Sequence, residues 1–116
     1  MTSILLVDDD SSILITSSIA LRRRGYEVTV AHNGQQALKK LAQRTFDILI
    51  SDVQMPGISG LELASLAQKL PSVPRVFLVS AHSDLPVKSK DMEAFFRKPL
   101  DMSALYRALG SPLKSR

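Results

Sequence analysis

Cysteine is absent from this chain, which removes both a disulfide framework and a thiolate metal site from consideration. Long apolar runs are absent too: no stretch approaches the roughly 18 consecutive residues that a membrane-crossing helix needs. The first residues lack the basic start of a secretion signal. These gaps exclude a disulfide-stapled scaffold and a helical membrane protein, and make a cytoplasmic protein with no membrane partner the expectation. Acid is the scarcer charge, with 11 Asp and Glu against 15 Lys and Arg and a net charge of +4. Four of those acids, Asp8, Asp9, Asp10 and Asp52, are expected to lie together, so the rest of the surface is more basic than the total implies. That balance favours acidic partners and does not by itself imply direct nucleic-acid binding.

What is present is a hydrophobic content of 45% in 116 residues, enough for one compact domain with a core and too little for two. The runs Ile4–Val7, Val28–Ala31, Ile48–Ile50, Val76–Val79 and Ala94–Phe96 are apolar without period-2 alternation, as strands covered on both faces should be. Helical spacing fills the intervals at Ile13–Arg24, Gln35–Gln43 and Gly60–Leu70, and closes the chain at Asp101–Leu109. Between the last two strands, Asp84–Met92 is interrupted by Pro86, which predicts a fourth helix that is short, irregular or missing. The run Arg22, Arg23, Arg24 before Gly25 has two readings: an anion-binding patch, or a helix end whose dipole favours cations and whose stop is a glycine. The second is the simpler.

Strands alternating with helices imply a doubly wound α/β fold, a five-stranded parallel sheet with helices on both faces. Ligands of such sheets bind beyond the carboxyl ends of the strands, where the strand order reverses. In the order 2-1-3-4-5 that crevice lies between the first and third strands, which end at Asp8 and Asp52. The fourth strand ends at Ser80 and the fifth just before Lys98. Each of these residues has a dull explanation alone. One aspartate of the opening triplet, or a serine beside it, is expected to cap the first helix, with Asp10 the best placed. Asp52 could open the turn at Met55-Pro56-Gly57, whose proline and glycine suit type II. Ser80 could be a strand-end hydroxyl and Lys98 a surface ammonium. Convergence of four distant segments on one rim is what a site would produce.

Charge arithmetic narrows its chemistry. Two carboxylates about 5 Å apart repel by roughly 3 kcal/mol at an effective dielectric near 20, so three need compensation. Hard oxygen donors with no His or Cys beside them suit Mg²⁺, which takes one or two protein carboxylates and keeps room for phosphate oxygens. A carboxylate beside such an ion can itself be a nucleophile and form an aspartyl phosphate.

These residues resemble a response-regulator receiver domain, the phosphoacceptor module of two-component signalling. The likeness rests on "VDDD" after the first strand, "SDVQMPGISG" after the third, "VSA" after the fourth and "RKP" after the fifth, with "RRRGYEV" and "NGQQAL" between. It implies a flavodoxin-like fold over residues 1–110, with 111–116 a C-terminal tail or the start of a linker. It also implies a regulatory rather than metabolic role, in which the domain assists its own phosphorylation and dephosphorylation. Asp52 would be the phosphoacceptor. Asp8, Asp9, Asp52 and the backbone carbonyl of Gln54 would hold Mg²⁺, Lys98 would neutralise the phosphoryl group, and Ser80 would hydrogen-bond it. The Lys98–Pro99 bond is often cis in the family. The donor would be a sensor histidine kinase or a histidine phosphotransfer protein. Candidate downstream partners are an output domain, a separate protein or a second copy of the chain.

The chain also departs from the pattern. Phe95 stands where receivers carry a switch aromatic, frequently tyrosine, and its lack of a hydroxyl favours simple core packing. Gln54 and His82 occupy positions that tune phosphoryl lifetime in the family. Two alternatives stand beside the receiver reading. "VDDDSS" fits the first motif of haloacid-dehalogenase-like phosphohydrolases, with Asp8 as nucleophile and Asp10 as acid/base. Those enzymes need a later acidic cluster, and only Asp101 follows Lys98. The other alternative is a receiver-like module that acts without phosphorylation.

Overall fold

A computed structural model describes residues 1–81 and 90–110. The strands are β1 (Ser3–Val7), β2 (Glu27–Ala31), β3 (Ile48–Asp52), β4 (Arg75–Ser80) and β5 (Ala94–Arg97); the helices among the described residues are α1 (Ser11–Arg23), α2 (Gly34–Gln43), α3 (Gly60–Ala67) and α4 (Met102–Leu109). All strands pair in parallel in the order β2-β1-β3-β4-β5, as expected. The helix expected within Asp84–Met92 falls largely on residues 82–89, which lie outside the described residues, as does His82. Residues 90 and 91 form a turn leading into β5.

Every residue of β1 and β3 is buried, which explains why their sequences do not alternate. The period of two survives as a division of labour. Leu5, Val7 and Leu49 face a core cluster closed by Ala37 and Leu41 of α2 and Leu63, Ala64 and Ala67 of α3. Ile4, Leu6, Ile48 and Ile50 face a second cluster closed by Leu14 and Leu21 of α1 and Leu105 and Leu109 of α4. Among the described residues two helices cover each face, and the functional side chains gather at the carboxyl ends of the strands.

Local chemistry fixes the helix ends. The Asp10 carboxylate accepts from the Ser12 and Ile13 N–H groups, at 2.9 and 3.3 Å, so the cap of α1 belongs to the aspartate and not to a serine. At the other end Gly25 takes φ +97°, the left-handed stop expected there. Arg22 donates to the Val28 carbonyl at 2.9 Å, and Arg24 stacks 4.1 Å from the centre of the Tyr106 ring. Two of the three arginines thus have partners within the fold, which supports the helix-end reading. The third helix ends at Ala67, short of the expected Leu70. Beyond it Gln68, Lys69 and Leu70 donate to carbonyls three residues back, a tightening that ends α-helical geometry before Pro71. Its start is a capping box, with Ser59 accepting from Glu62 N–H and Glu62 accepting from Ser59 N–H.

Candidate functional site

The sheet delivers the predicted residues to one rim. Asp8 follows β1, Asp52 ends β3, Ser80 ends β4 and Lys98 follows β5. Backbone bonds lock these ends together: Val53 N–H donates to the Val79 carbonyl at 2.9 Å, and Lys98 N–H to the Ser80 carbonyl at 2.9 Å. Asp8, Asp52 and Ser80 are 4%, 6% and 0% exposed, so none is an ordinary surface polar group. Asp9 is exposed, and one carboxylate oxygen from each of Asp8, Asp9 and Asp52 lies within 4.8 Å of the others.

Among the described residues Lys98 is the cation paired with this group. The Lys98 ammonium is 3.0 Å from Asp8 Oδ2 and 3.4 Å from Asp52 Oδ2, with only 18% of its side chain exposed. Burial by itself would lower the Lys98 pKa, but its hydrogen bond to Asp8 and the charges of both carboxylates outweigh that, so it titrates above the ordinary lysine range. Asp52 shifts upward as well. Desolvation is the main cause and Asp8 adds to it, while Lys98 and the Gln54 N–H only partly oppose them. The site therefore carries more negative charge than Lys98 balances.

The opening triplet divides by geometry. The other oxygen of Asp8, Oδ1, accepts the Asp10 N–H at 2.9 Å, fixing that carboxylate against the chain itself. Asp9 projects to the rim. Asp10 caps α1 through Oδ1, the helix-starting role expected for one member of the triplet. Gln54 N–H reaches Asp52 Oδ1 at 3.4 Å, which places that loop beside the carboxylate. In the turn between them and α3, Gly57 takes φ +79°, as type II geometry demands. The Lys98–Pro99 peptide bond is cis. Phe95 lies on β5, partly buried against the cluster under α2 and α3.

The donor set suits a hard divalent cation. Three carboxylate oxygens converge, two from buried residues, with no nitrogen or sulfur ligand among them. Sequence reading missed a cavity of about 270 Å³ that opens beside the carboxylates between α1 and the start of α4, walled by Ile13, Thr16, Val79, Leu100 and Met102. No local pattern announces it, because its walls come from distant elements.

A parallel sheet of this order, with one buried aspartate after β1, another ending β3 and a lysine after β5, is a doubly wound fold with its site on the carboxyl rim. The chain belongs to the response regulator receiver domain family, which it matches over residues 4–110. It is a receiver domain of the two-component class, a regulatory fold. Transcriptional regulatory protein GlrR of Escherichia coli K12 is 34% identical over 116 residues, covering 96% of this chain and 26% of that protein. DNA-binding transcriptional regulator NtrC of the same strain is 41% identical over 102 residues, covering 84% and 22%. The chain thus spans about a quarter of the length of these curated relatives. Among solved structures, response regulator TrrA of Thermotoga maritima, in complex with Mg²⁺ and BeF, is 34% identical with a TM-score of 0.84, covering 94% of this chain and 96% of that one. The complex of TrrA with histidine kinase ThkA matches at 33% identity and a TM-score of 0.83, with the same coverage.

Proposed function

We propose that Asp52 accepts a phosphoryl group from a phosphohistidine on a sensor histidine kinase or a phosphotransfer protein. A carboxylate oxygen of Asp52 attacks phosphorus as the phosphorus–nitrogen bond breaks, and the imidazole departs with the electron pair. Positioning and charge neutralisation supply most of the rate. The observation that carries this reading is the Lys98 ammonium bridging Asp8 and Asp52, with Asp9 beside them at the sheet's switch point. Asp8, Asp9, Asp52 and the Gln54 carbonyl would hold Mg²⁺, which when bound would supply a Lewis acid to offset charge on the incoming phosphoryl oxygens. Lys98 offsets the same charge from the β5 side. Ser80 bonds the attached phosphoryl group. In this way the domain assists its own phosphorylation and its return.

The product adds a charge of about −1.5 to −2 on the rim, enough to bias a two-state surface that includes Ser80 and Phe95. An output domain reached through a linker beginning at 111–116, a downstream protein or a second copy reads that surface. The test is incubation with acetyl phosphate and Mg²⁺, followed by mass spectrometry. An acid-stable, base-labile adduct is expected in the wild type and absent in Asp52→Ala. An adduct on Asp8, or one that survives Asp52→Ala, would overturn the assignment. No adduct with any donor would favour a module that works without phosphate.

A further inference from the structure

We infer that Gly34 and Gly60 are positioning residues for the acceptor, seating the loop of residues 53–59 by allowing two backbone approaches that any side chain would block. The inference rests on Asp52 being the acceptor. Gly60 is the first residue of α3, and its N–H donates to the Val53 carbonyl at 2.7 Å. A Cβ there would overlap the carbonyl oxygen of Asp52 itself and lie 2.8 Å from Val53 Cα. Both are main-chain atoms, which cannot swing aside as a side chain can. A substituent at Gly60 therefore displaces the acceptor's own peptide.

Gly34 acts at one remove. It is the first residue of α2, after Asn33 has capped the helix by accepting from Gln36 N–H at 2.8 Å. A Cβ on Gly34 would sit 2.7 Å from Ile58 Cβ, 2.8 Å from the Ile58 carbonyl oxygen and 3.0 Å from Ile58 Cγ2. Ile58 is partly buried against the cluster under α2 and α3, so it has little room to retreat inward. The start of α2 thus presses on the loop that joins Asp52 to α3. Asn-Gly in "NGQQAL" and the last glycine of "MPGISG" act on that same loop. The first pair caps α2 and clears space for Ile58, and the second glycine lets the loop close onto the acceptor.

Helix chemistry alone predicts otherwise. Alanine is a better helix former than glycine, so Gly34→Ala on that basis would be neutral or stabilising and silent at the site. The positioning account expects weaker Mg²⁺ binding by calorimetry and slower adduct formation with acetyl phosphate, by roughly ten- to hundredfold, the scale on which small misplacements act. Gly60→Ala is expected to be the more severe. A companion variant is Gly34→Ala/Ile58→Gly, which relieves the side-chain part of the contact and leaves the Ile58 carbonyl oxygen in place. It removes two of the three clashing atoms while deleting core surface, so positioning expects Mg²⁺ affinity and adduct rate to recover toward those of Ile58→Gly alone, although the protein melts lower. A purely structural role expects the double variant to be worse on every readout.

Wild-type rates and Mg²⁺ affinity in Gly34→Ala would overturn the inference. Amide ¹H–¹⁵N shifts of Asp52, Val53 and Gln54 without metal report the loop directly. If the wild type forms no adduct, the acceptor assignment fails, yet these shifts still decide whether Gly34 sets the loop's position: movement in Gly34→Ala supports it and no movement refutes it.

Discussion

Two cation–carboxylate groups stand at opposite ends of β4 and β5, and they are built to different ends. At the far end from the site, Arg75 meets both oxygens of Glu93 at 2.8 and 2.6 Å. It also donates to the Ala108 and Leu109 carbonyls at the end of α4, at 3.0 and 2.9 Å. The charges match one to one, the side chains are 42% and 45% exposed, and the Glu93 pKa is lowered, chiefly by the arginine hydrogen bond. At the site end a lysine faces several carboxylates, two of them almost wholly buried, and the Asp52 pKa is raised. The first group is complete and holds structure. The second is incomplete, and its deficit of positive charge is what a divalent cation and a phosphoryl group would use.

The comparison is broken most forcefully at Lys98. Without metal, Lys98→Ala leaves Asp8 and Asp52 with no cation between them, and should lower unfolding free energy by about 3–5 kcal/mol, as loss of one member of a buried ion pair does. Mg²⁺ should restore part of that loss in a urea titration. Arg75→Ala removes an exposed ion pair and two helix-end hydrogen bonds, a cost of about 1–2 kcal/mol. Mg²⁺ should not restore it, and the adduct on Asp52 should form as in the wild type. If Arg75→Ala abolished the adduct, the two groups would not be independent.

The smallest effects are slopes with pH, and their signs are opposite. Glu93 has a depressed pKa, so its contribution is complete above the ordinary value of 4.5 and disappears as pH falls through its folded value. Asp52 has a raised pKa. Below the ordinary 3.8 both states hold the proton and nothing is lost; as pH climbs from there through the folded value, the folded state is progressively disfavoured. Chemical denaturation in chelator should show the wild type gaining on Glu93→Gln as pH rises from acid, while losing ground to Asp52→Asn. Slopes of the same sign would erase the distinction.

The site was far more legible in sequence than its counterpart, for a physical reason. Parallel strands carry their chemistry at their carboxyl ends, so Asp8, Asp52, Ser80 and Lys98 announce themselves as polar residues closing apolar runs. Asp10 could be separated from Asp8 and Asp9 because N-caps obey local rules. The Ser59–Glu62 capping box is equally readable from its S-x-x-E spacing. Arg75 had no such signature: Glu93 lies 18 residues away and the α4 carbonyls 33 and 34, so only the fold brings them together. The close approaches at Gly34 and Gly60 are hidden in the same way, since a glycine required by a neighbour's backbone looks like any other glycine before a helix.

The central claim is that Asp52 is held at a cost which a cation relieves, and the unfolding free energy of wild type and Asp52→Asn at neutral pH, in chelator and in saturating Mg²⁺, tests it most directly. In chelator the asparagine variant should be the more stable, because it removes a buried charge that Lys98 and the Gln54 N–H only partly compensate. Mg²⁺ should stabilise the wild type, leave the variant little changed and narrow or reverse the gap. A variant less stable than the wild type in chelator, with Mg²⁺ acting equally on both, would show Asp52 to be a structural ion-pair partner like Glu93 and contradict the account.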